Sequence, residues 1–326
     1  MADWLVEEGI AEHRAVRPGP GGIVAARIDW PGRLAAGQVE DAVLSSREAG
    51  SPRGTARFAS GEEALVDRLP RDAQEGASLR LAVTRAALRE RGRAKPAQAR
   101  PTDAGLQPAP TLAENLRNEG HTVAIVRQFP AEADWTDVWQ EAWDGRADFA
   151  GGALSFHPTP AMTLIDVDGS GSPATLARAA VAPLAGALAR FDLGGNIGID
   201  FPTLATKTDR RAVDDALDEA LDPWPHERTA MNGFGFVQIV ARMERVSLLH
   251  RIQLSRPAAA ARLLLRRAEH LDGPGTLTLT AHPALKAHLT EARLGELQRR
   301  SGREVALSFD PALALEAGHA QMTADG

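Results

Sequence analysis

Two apolar runs that each lead into an aspartate constrain the fold of this chain more than any other feature. They span residues 161–169 and 194–202, and each closes with an acid followed by Gly or Phe-Pro. Such a run is typical of a buried strand whose last side chain emerges at the edge of a sheet. Between them, residues 173–190 carry Ala, Leu and Val at helical spacing. The pattern therefore predicts a strand–helix–strand unit with parallel strands, because such crossovers are compact and right-handed.

This unit would bring Asp166, Asp168 and Asp200 together at the carboxyl ends of the two strands. Converging carboxylates repel one another unless a hard cation lies among them, and Mg²⁺ binds one or two carboxylates while it keeps several waters. The three aspartates are therefore candidate catalytic residues of a metal-dependent phosphodiester site, with Mg as the cofactor. The alternative is that Asp166 and Asp200 are ordinary strand-end acids and that Asp168 forms a turn with Gly169.

Composition narrows the class of protein. The 326 residues suffice for two or three domains. The formal charge of −6 argues against a protein surface that is basic throughout and binds nucleic acid, although a local basic groove is compatible with this charge. The chain has no Cys, which excludes disulfides and Cys-based zinc or iron–sulfur sites. The amino terminus does not resemble a signal peptide and no apolar run reaches the roughly 20 residues of a membrane span, so we expect a soluble cytoplasmic protein with no membrane partner.

Pattern changes along the chain predict an α/β protein in five parts. These are a β-hairpin segment (1–36), a small all-β barrel (37–100), a linker with a short α/β segment (101–148), the central metal-site domain with a mixed sheet (149–252), and a small carboxyl-terminal α/β domain (253–326). Beyond the barrel we predict helices over 112–118, 134–143, 173–190, 209–221, 256–270 and 284–297, and strands over 121–126, 151–156, 162–165, 197–199, 234–240, 276–280 and 305–309.

A basic stretch follows the predicted barrel. Residues 80–100 contain seven Lys or Arg and one acid, Glu90. Such a run is either a solvated charged face or a strip that contacts phosphates. Phe58 is likewise either a core aromatic of the barrel or, if exposed, a base-stacking side chain. The RNA-binding candidates in the basic stretch are Arg85, Arg91, Arg93 and Lys95.

Several short motifs follow one another in the central part of the chain: Gly151-Gly152, Ala161–Asp168, Leu193–Phe201, Asp209–Val213 and Asn232–Gln238. In this order they resemble the metal-site segments of the ribonuclease E/G family. Residues 1–100 are similar in outline to the amino-terminal part of that family, which contains an OB-fold RNA-binding barrel. The resemblance implies an OB-like barrel here and an endoribonuclease that cleaves single-stranded RNA with Mg²⁺, leaves a 5′-phosphate, and serves RNA processing or decay.

Carried over by position, the resemblance assigns roles to individual residues. Asp166 and Asp200 would be the metal ligands, and Asp168 would help to orient the attacking water. Arg242 and Arg245, which follow the predicted strand at 234–240, would grip phosphate.

The chain also departs from the family. The family's cysteine zinc link between protomers has no counterpart, so any oligomer would form in another way. Asp168 replaces the usual Asn, the loop after Asp200 lacks an acid, and the segment before residue 149 is too short for the family's 5′-end sensing domain. A catalytically weakened RNA-binding protein is therefore the alternative function, and an interaction module with no RNA role is a third.

Overall fold

The computed structural model describes residues 2–90, 93–243 and 245–324, which form a mixed α/β fold with a closed five-stranded barrel and several further sheets. None of the helices within these ranges combines the length and apolar character that a bilayer crossing requires.

The strands within the described ranges are, in chain order, β1 (Trp4–Gly9), β2 (Glu12–Gly19), β3 (Gly22–Asp29), β4 (Val39–Arg47), β5 (Gly54–Arg57), β6 (Glu63–Val66), β7 (Ser78–Arg85), β8 (Leu88–Glu90), β9 (Arg93–Lys95), β10 (Ala97–Pro101), β11 (Val123–Val126), β12 (Arg146–Phe149), β13 (Gly152–Pro158), β14 (Thr163–Gly169), β15 (Gly195–Asp200), β16 (His226–Arg228), β17 (Phe236–Ala241), β18 (Thr276–Ala281), β19 (Val305–Phe309) and β20 (His319–Thr323). The α-helices are α1 (Leu112–Asn118), α2 (Trp135–Asp144), α3 (Pro173–Arg190), α4 (Lys207–Leu221), α5 (Leu248–Leu254), α6 (Arg256–Glu269) and α7 (Glu291–Ser301).

The amino-terminal hairpin belongs to a larger sheet. The predicted pairing of β2 with β3 is confirmed, but β1 also pairs with β2 and lies parallel to β11, giving the order β11-β1-β2-β3. Since β11 comes after the barrel in the sequence, the barrel is an insertion between two parts of one sheet. The segments 1–36 and 101–148, which we predicted to be separate parts of the protein, thus contribute strands to the same sheet.

The predicted small barrel is confirmed. Strands β4 to β7 and β10 close it in the order β10-β6-β5-β4-β7, around buried side chains such as Leu44, Val66 and Leu81. The closing strand β10 lies where the sequence indicated a basic stretch running into a linker. It pairs parallel with β6 and antiparallel with β7. The small buried side chains of Ala97 and Ala99 thereby complete the barrel core.

The central sheet has the order β12-β13-β14-β15-β17-β16. The predicted strand–helix–strand unit is confirmed: β14 and β15 are parallel neighbours, and α3 connects them over Pro173–Arg190. Ser172 caps α3 by accepting a hydrogen bond from the Thr175 backbone N–H, and Pro173 occupies the first turn, where its missing donor costs nothing. The buried face of α3 packs against the sheet and leaves the opposite sheet face outside the core.

The carboxyl-terminal region forms a small sheet, β19-β18-β20, packed on α6 and α7. The parallel strands at 276–280 and 305–309 are confirmed, but the single helix predicted over 284–297 is wrong. A 3₁₀ helix at Pro283–His288 comes first, and Thr290, with an extended backbone (φ −71°, ψ 157°), then begins α7. Strand β20 also escaped prediction, although polar and apolar residues alternate in His319–Thr323, because its two apolar residues, Ala320 and Met322, are neither β-branched nor aromatic.

A buried ion network joins the amino-terminal sheet to α6. Glu7 and Arg14 are each 1% exposed, and the Glu7 carboxylate accepts hydrogen bonds from Arg14 Nη1 (3.2 Å) and Arg266 Nε (3.0 Å). Burial alone would raise the pKa of Glu7, but the hydrogen bond and charge of Arg266, together with the charge of Arg14, bring it below its usual range. The carboxylate is thus held ionised between two arginines from different parts of the chain.

We expect Glu7→Gln to lower the free energy of unfolding by about 3 kcal/mol at neutral pH, because the half-buried Arg266 loses its carboxylate partner and the buried Arg14 keeps only Glu12. Because the folded-state pKa of Glu7 is lowered, its contribution is present above the usual carboxyl range and is lost as the pH falls through the lowered value. Urea denaturation at neutral and acidic pH measures both effects. Glu63→Gln, which breaks an exposed pair with Arg57, is the matched control and should cost less than about 1 kcal/mol. Equal small losses in the two variants would contradict this account.

Candidate functional site

The central sheet has two chemically different faces. On β14 the odd-numbered residues Thr163, Ile165 and Val167 are buried on the α3 side, and on β15 Ile197 and Ile199 do the same. Side chains alternate along a strand, so the even-numbered residues lie on the other face. We call this second face the open face. It comprises Leu164, Asp166, Asp168, Asn196, Gly198, Asp200, Phe236, Gln238 and Val240 on the three central strands.

The three predicted aspartates share the open face. In the parallel register of β14 and β15, Asp166 lies directly opposite Asp200, and Asp168 follows two residues later on the same face as Asp166. Asp200 is the last residue of β15, and Asp168 lies one residue before the end of β14. The structure therefore brings together the side chains that the sequence pattern predicted would meet.

Burial and mutual repulsion act together on one of them. The pKa of Asp166 is raised, first because the carboxyl is partly buried, then because of the charge of Asp168, a hydrogen bond with Asp168, and the charge of Asp200. These surroundings disfavour the ionised carboxylate, and a nearby positive charge would favour it. A bound cation would relieve this repulsion.

The donor set suits one kind of cation. Across the described ranges, no group of three or more His, Cys, Asp or Glu side chains is arranged to hold a metal ion, even though the three aspartates interact. Ca²⁺ takes six to eight oxygen ligands and structural Zn²⁺ takes four protein ligands, whereas Mg²⁺ is commonly held by one or two carboxylates together with waters and substrate phosphates. The facing pair Asp166 and Asp200 fits the Mg²⁺ pattern.

The loop that follows Asp200 is fixed by the loop that precedes β17. Phe201 and Leu204 are buried, so this loop is anchored in the core at both ends. The Phe201 backbone N–H donates to Gly235 O (3.2 Å), and Thr203 Oγ1 donates to Phe234 O (3.2 Å). These hydrogen bonds and the two buried side chains fix the end of β15.

The sequence missed several neighbours of the aspartates. Ser155 lies opposite Asp166 on β13, Phe236 lies opposite Asp200 on β17, and Gln238 lies opposite Gly198. Reading the alternate positions of the neighbouring strands would have found them, but only once the strand order was known. Nothing in the local sequence states that β17 is the neighbour of β15.

Arg242 and Arg245 are not near the aspartates. Strand β17 runs antiparallel to β15, so Phe236 pairs with Asp200 while Ala241 pairs with Gly195 at the other end. Residues that follow Ala241 thus lie at the opposite edge of the sheet. Arg245 is also engaged there by Glu119 (Nη2–Oε1 2.9 Å). The two arginines therefore lie at the end of β17 away from Asp200, and phosphate binding by them stays a prediction.

The RNA-binding residues predicted on and after the barrel differ in their exposure to solvent. Phe58 is 3% exposed and packs in the barrel core, so it offers no ring face to a base, contrary to the stacking prediction. Arg85 is half-buried and donates from Nη2 to Pro96 O (3.2 Å), and Lys95 is half-buried at the end of β9. Arg91 and the side chain of Arg93 lie outside the described residues. RNA binding by the barrel stays a prediction.

No protein-family model matches this chain, and a search of curated proteins returns no match. The resemblance to the ribonuclease E/G family therefore rests on the motifs of the chain itself and remains a prediction.

We expect Asp168→Asn to stabilise the protein in the presence of a chelator, because it removes the nearest charge that opposes ionisation of Asp166 and keeps a hydrogen-bonding side chain. A raised folded-state pKa means that the fold loses stability as the pH rises through that value, so the gain should be largest at neutral pH and vanish in acid. Thermal denaturation should show a gain on the order of 0.5 kcal/mol.

Asp215→Asn is the control for this measurement, because Asp215 is an exposed acid on α4. It should leave the stability unchanged at both pH values. A neutral-pH loss of stability in Asp168→Asn would show that the carboxylates do not repel one another.

Proposed function

We propose that this chain is a Mg²⁺-dependent endoribonuclease that cleaves single-stranded RNA on the open face of the central sheet, in cytoplasmic RNA processing or decay. The observation that carries the proposal is the facing pair Asp166 and Asp200 at the carboxyl ends of two parallel strands, where burial and the neighbouring carboxylates raise the pKa of Asp166. The motif order shared with the ribonuclease E/G family supports the same function.

The chain's own residues have separate roles in this proposal. Asp166 and Asp200 would hold Mg²⁺, which when bound neutralises phosphate charge and lowers the pKa of water. Asp168, which hydrogen-bonds Asp166, would help to orient the attacking water. The strands hold these groups rigidly, because residues at odd positions are locked in the core.

The exposure of the site suits a polymer substrate. The aspartates lie on a sheet face rather than in a closed cavity, so a chain could cross the site without threading an end into it. In this proposal the barrel inserted after β3 would bind a second part of the same polymer, as a long single-stranded substrate would require. The barrel would then bind the RNA, and the open face would cleave it.

The test is cleavage of an AU-rich single-stranded RNA by the purified full-length chain with Mg²⁺. We expect products that carry a 5′-phosphate, and we expect Asp200→Asn to reduce the rate at least about 100-fold, since the remaining carboxylate would hold the cation poorly. Asp215→Asn, on the outer side of α4, should cleave like the wild type. Intact RNA at micromolar protein would overturn the proposal.

A second candidate is an RNA-binding protein that has lost catalysis. The departures from the family favour it: the loop after Asp200 lacks an acid, Asp168 replaces the usual Asn, and the zinc link and the 5′-end sensing segment have no counterpart. In this case RNA binding would weaken steeply with added salt and would survive the loss of both Asp166 and Asp200. Binding without cleavage in the assay above would select this candidate.

A further inference from the structure

Among the Phe and Trp side chains in the described part of the chain, the most exposed is in a turn that contacts the loop after Asp200. Phe234 is 80% exposed, whereas Phe201, in the neighbouring loop, is 2% exposed. A single exposed apolar side chain is common on protein surfaces and implies nothing alone. What distinguishes Phe234 is that the backbone beneath it is tightly held.

Asn232 closes the turn that carries the ring. Its side-chain Oδ1 accepts hydrogen bonds from the backbone N–H groups of Phe234 (2.9 Å) and Phe236 (3.1 Å). Its own N–H donates to Phe236 O (3.1 Å), and the Gly235 N–H donates to Asn232 O (3.2 Å). The turn is therefore an ordered platform, because its backbone polar groups are engaged locally.

The same turn is locked to the end of the aspartate strand. Gly235 has φ +93°, and a Cβ there would lie 2.3 Å from Phe201 O, so only glycine allows the two loops to approach this closely. Thr203 adds the hydrogen bond to Phe234 O described above. The Phe234 backbone is consequently fixed relative to Asp200, the residue before Phe201.

A second ring extends the platform onto the open face. Phe236 lies opposite Asp200, and its Cζ would be 2.6 Å from a Cβ on Gly198, so the ring covers the neighbouring strand where glycine leaves room. Val240, 46% exposed, continues the apolar surface along β17. The open face thus places uncharged rings immediately beside the acids.

The negative charge of the open face favours aromatic rings over phosphate contacts as the means of binding RNA. The face carries the three aspartates together with the exposed acids Asp148 and Glu227 on its outer strands. Arg146 shares the face but is ion-paired with Asp148 (Nη2–Oδ1 2.8 Å), and Arg242 and Arg245 follow the opposite end of β17, so the face is negative overall. A nucleic-acid backbone would be repelled by this surface. Stacking of a base on an aromatic ring is attractive without needing a positive charge, and it tolerates any base sequence.

We propose that Phe234 is a stacking platform for a nucleobase of single-stranded RNA next to the phosphate that reaches Asp166 and Asp200. This inference rests on the function proposed above and identifies a substrate-binding residue for it. It places recognition of the bases, rather than of the backbone, at the end of the open face where Asp200 lies.

Binding by the full-length chain in excess chelator separates stacking from cleavage, since Mg²⁺-dependent cleavage does not proceed there. The probes are two fluorescent oligonucleotides of equal length and charge, one a single-stranded RNA and the other with abasic sites throughout its centre. Fluorescence anisotropy should show that Phe234→Ala weakens binding of the base-containing probe about 5- to 100-fold and leaves the abasic probe unchanged.

Two further variants keep the test decisive. Phe234→Trp should retain the preference for bases, because it keeps a ring on the same turn. Leu106→Ala removes another exposed apolar side chain, 63% exposed in the segment after the barrel, and should bind both probes like the wild type. Equal losses on the two probes in Phe234→Ala, or no loss on either, would overturn the inference.

The outcomes also separate this inference from the proposed function. A base-dependent loss in a protein that cleaves no RNA supports stacking and counts against catalysis. Normal Mg²⁺-dependent cleavage with unchanged probe binding by Phe234→Ala overturns stacking alone. A change of oligomeric state in Phe234→Ala, with RNA binding unchanged, would assign the ring to a protein contact and overturn the inference.

Discussion

The candidate site depends on the parallel pairing of β14 with β15, in which Asp166 lies opposite Asp200. This register is fixed by burial, because a slip of one residue would expose Ile165 and Ile199 and bury the acids. Helix α3 enforces the parallel direction by returning the chain to the same edge of the sheet. The core therefore sustains a concentration of negative charge that is unfavourable without a cation.

Much of this arrangement could be predicted from the sequence. The bounds of α3 are those that the Ala and Leu spacing indicated, and the two apolar runs became the neighbouring strands. The reason is physical: an apolar run with an acid at its end has few ways to bury itself, and a right-handed crossover leaves one relative direction for the strands. The barrel followed in the same way from closely spaced alternating strands.

The rest depended on contacts between residues distant in sequence. The antiparallel direction of β17 moved Arg242 and Arg245 away from the aspartates, and no local pattern specifies which strand a given strand will join. Phe58 and Phe234 show the same limit: both are single aromatics near glycine, yet one fills the barrel core and the other faces water. Their environments are set by tertiary packing, which composition and periodicity do not contain.

The central claim is that a cation relieves the repulsion between Asp166 and its neighbours. Thermal denaturation of the full-length chain during a Mg²⁺ titration at neutral pH tests it without RNA and without turnover. At about ten times its dissociation constant, Mg²⁺ should stabilise the wild type by about 1.4 kcal/mol, and the effect should be lost in Asp166→Asn and Asp200→Asn. Equal stabilisation of all three proteins, or none in the wild type, would contradict the claim.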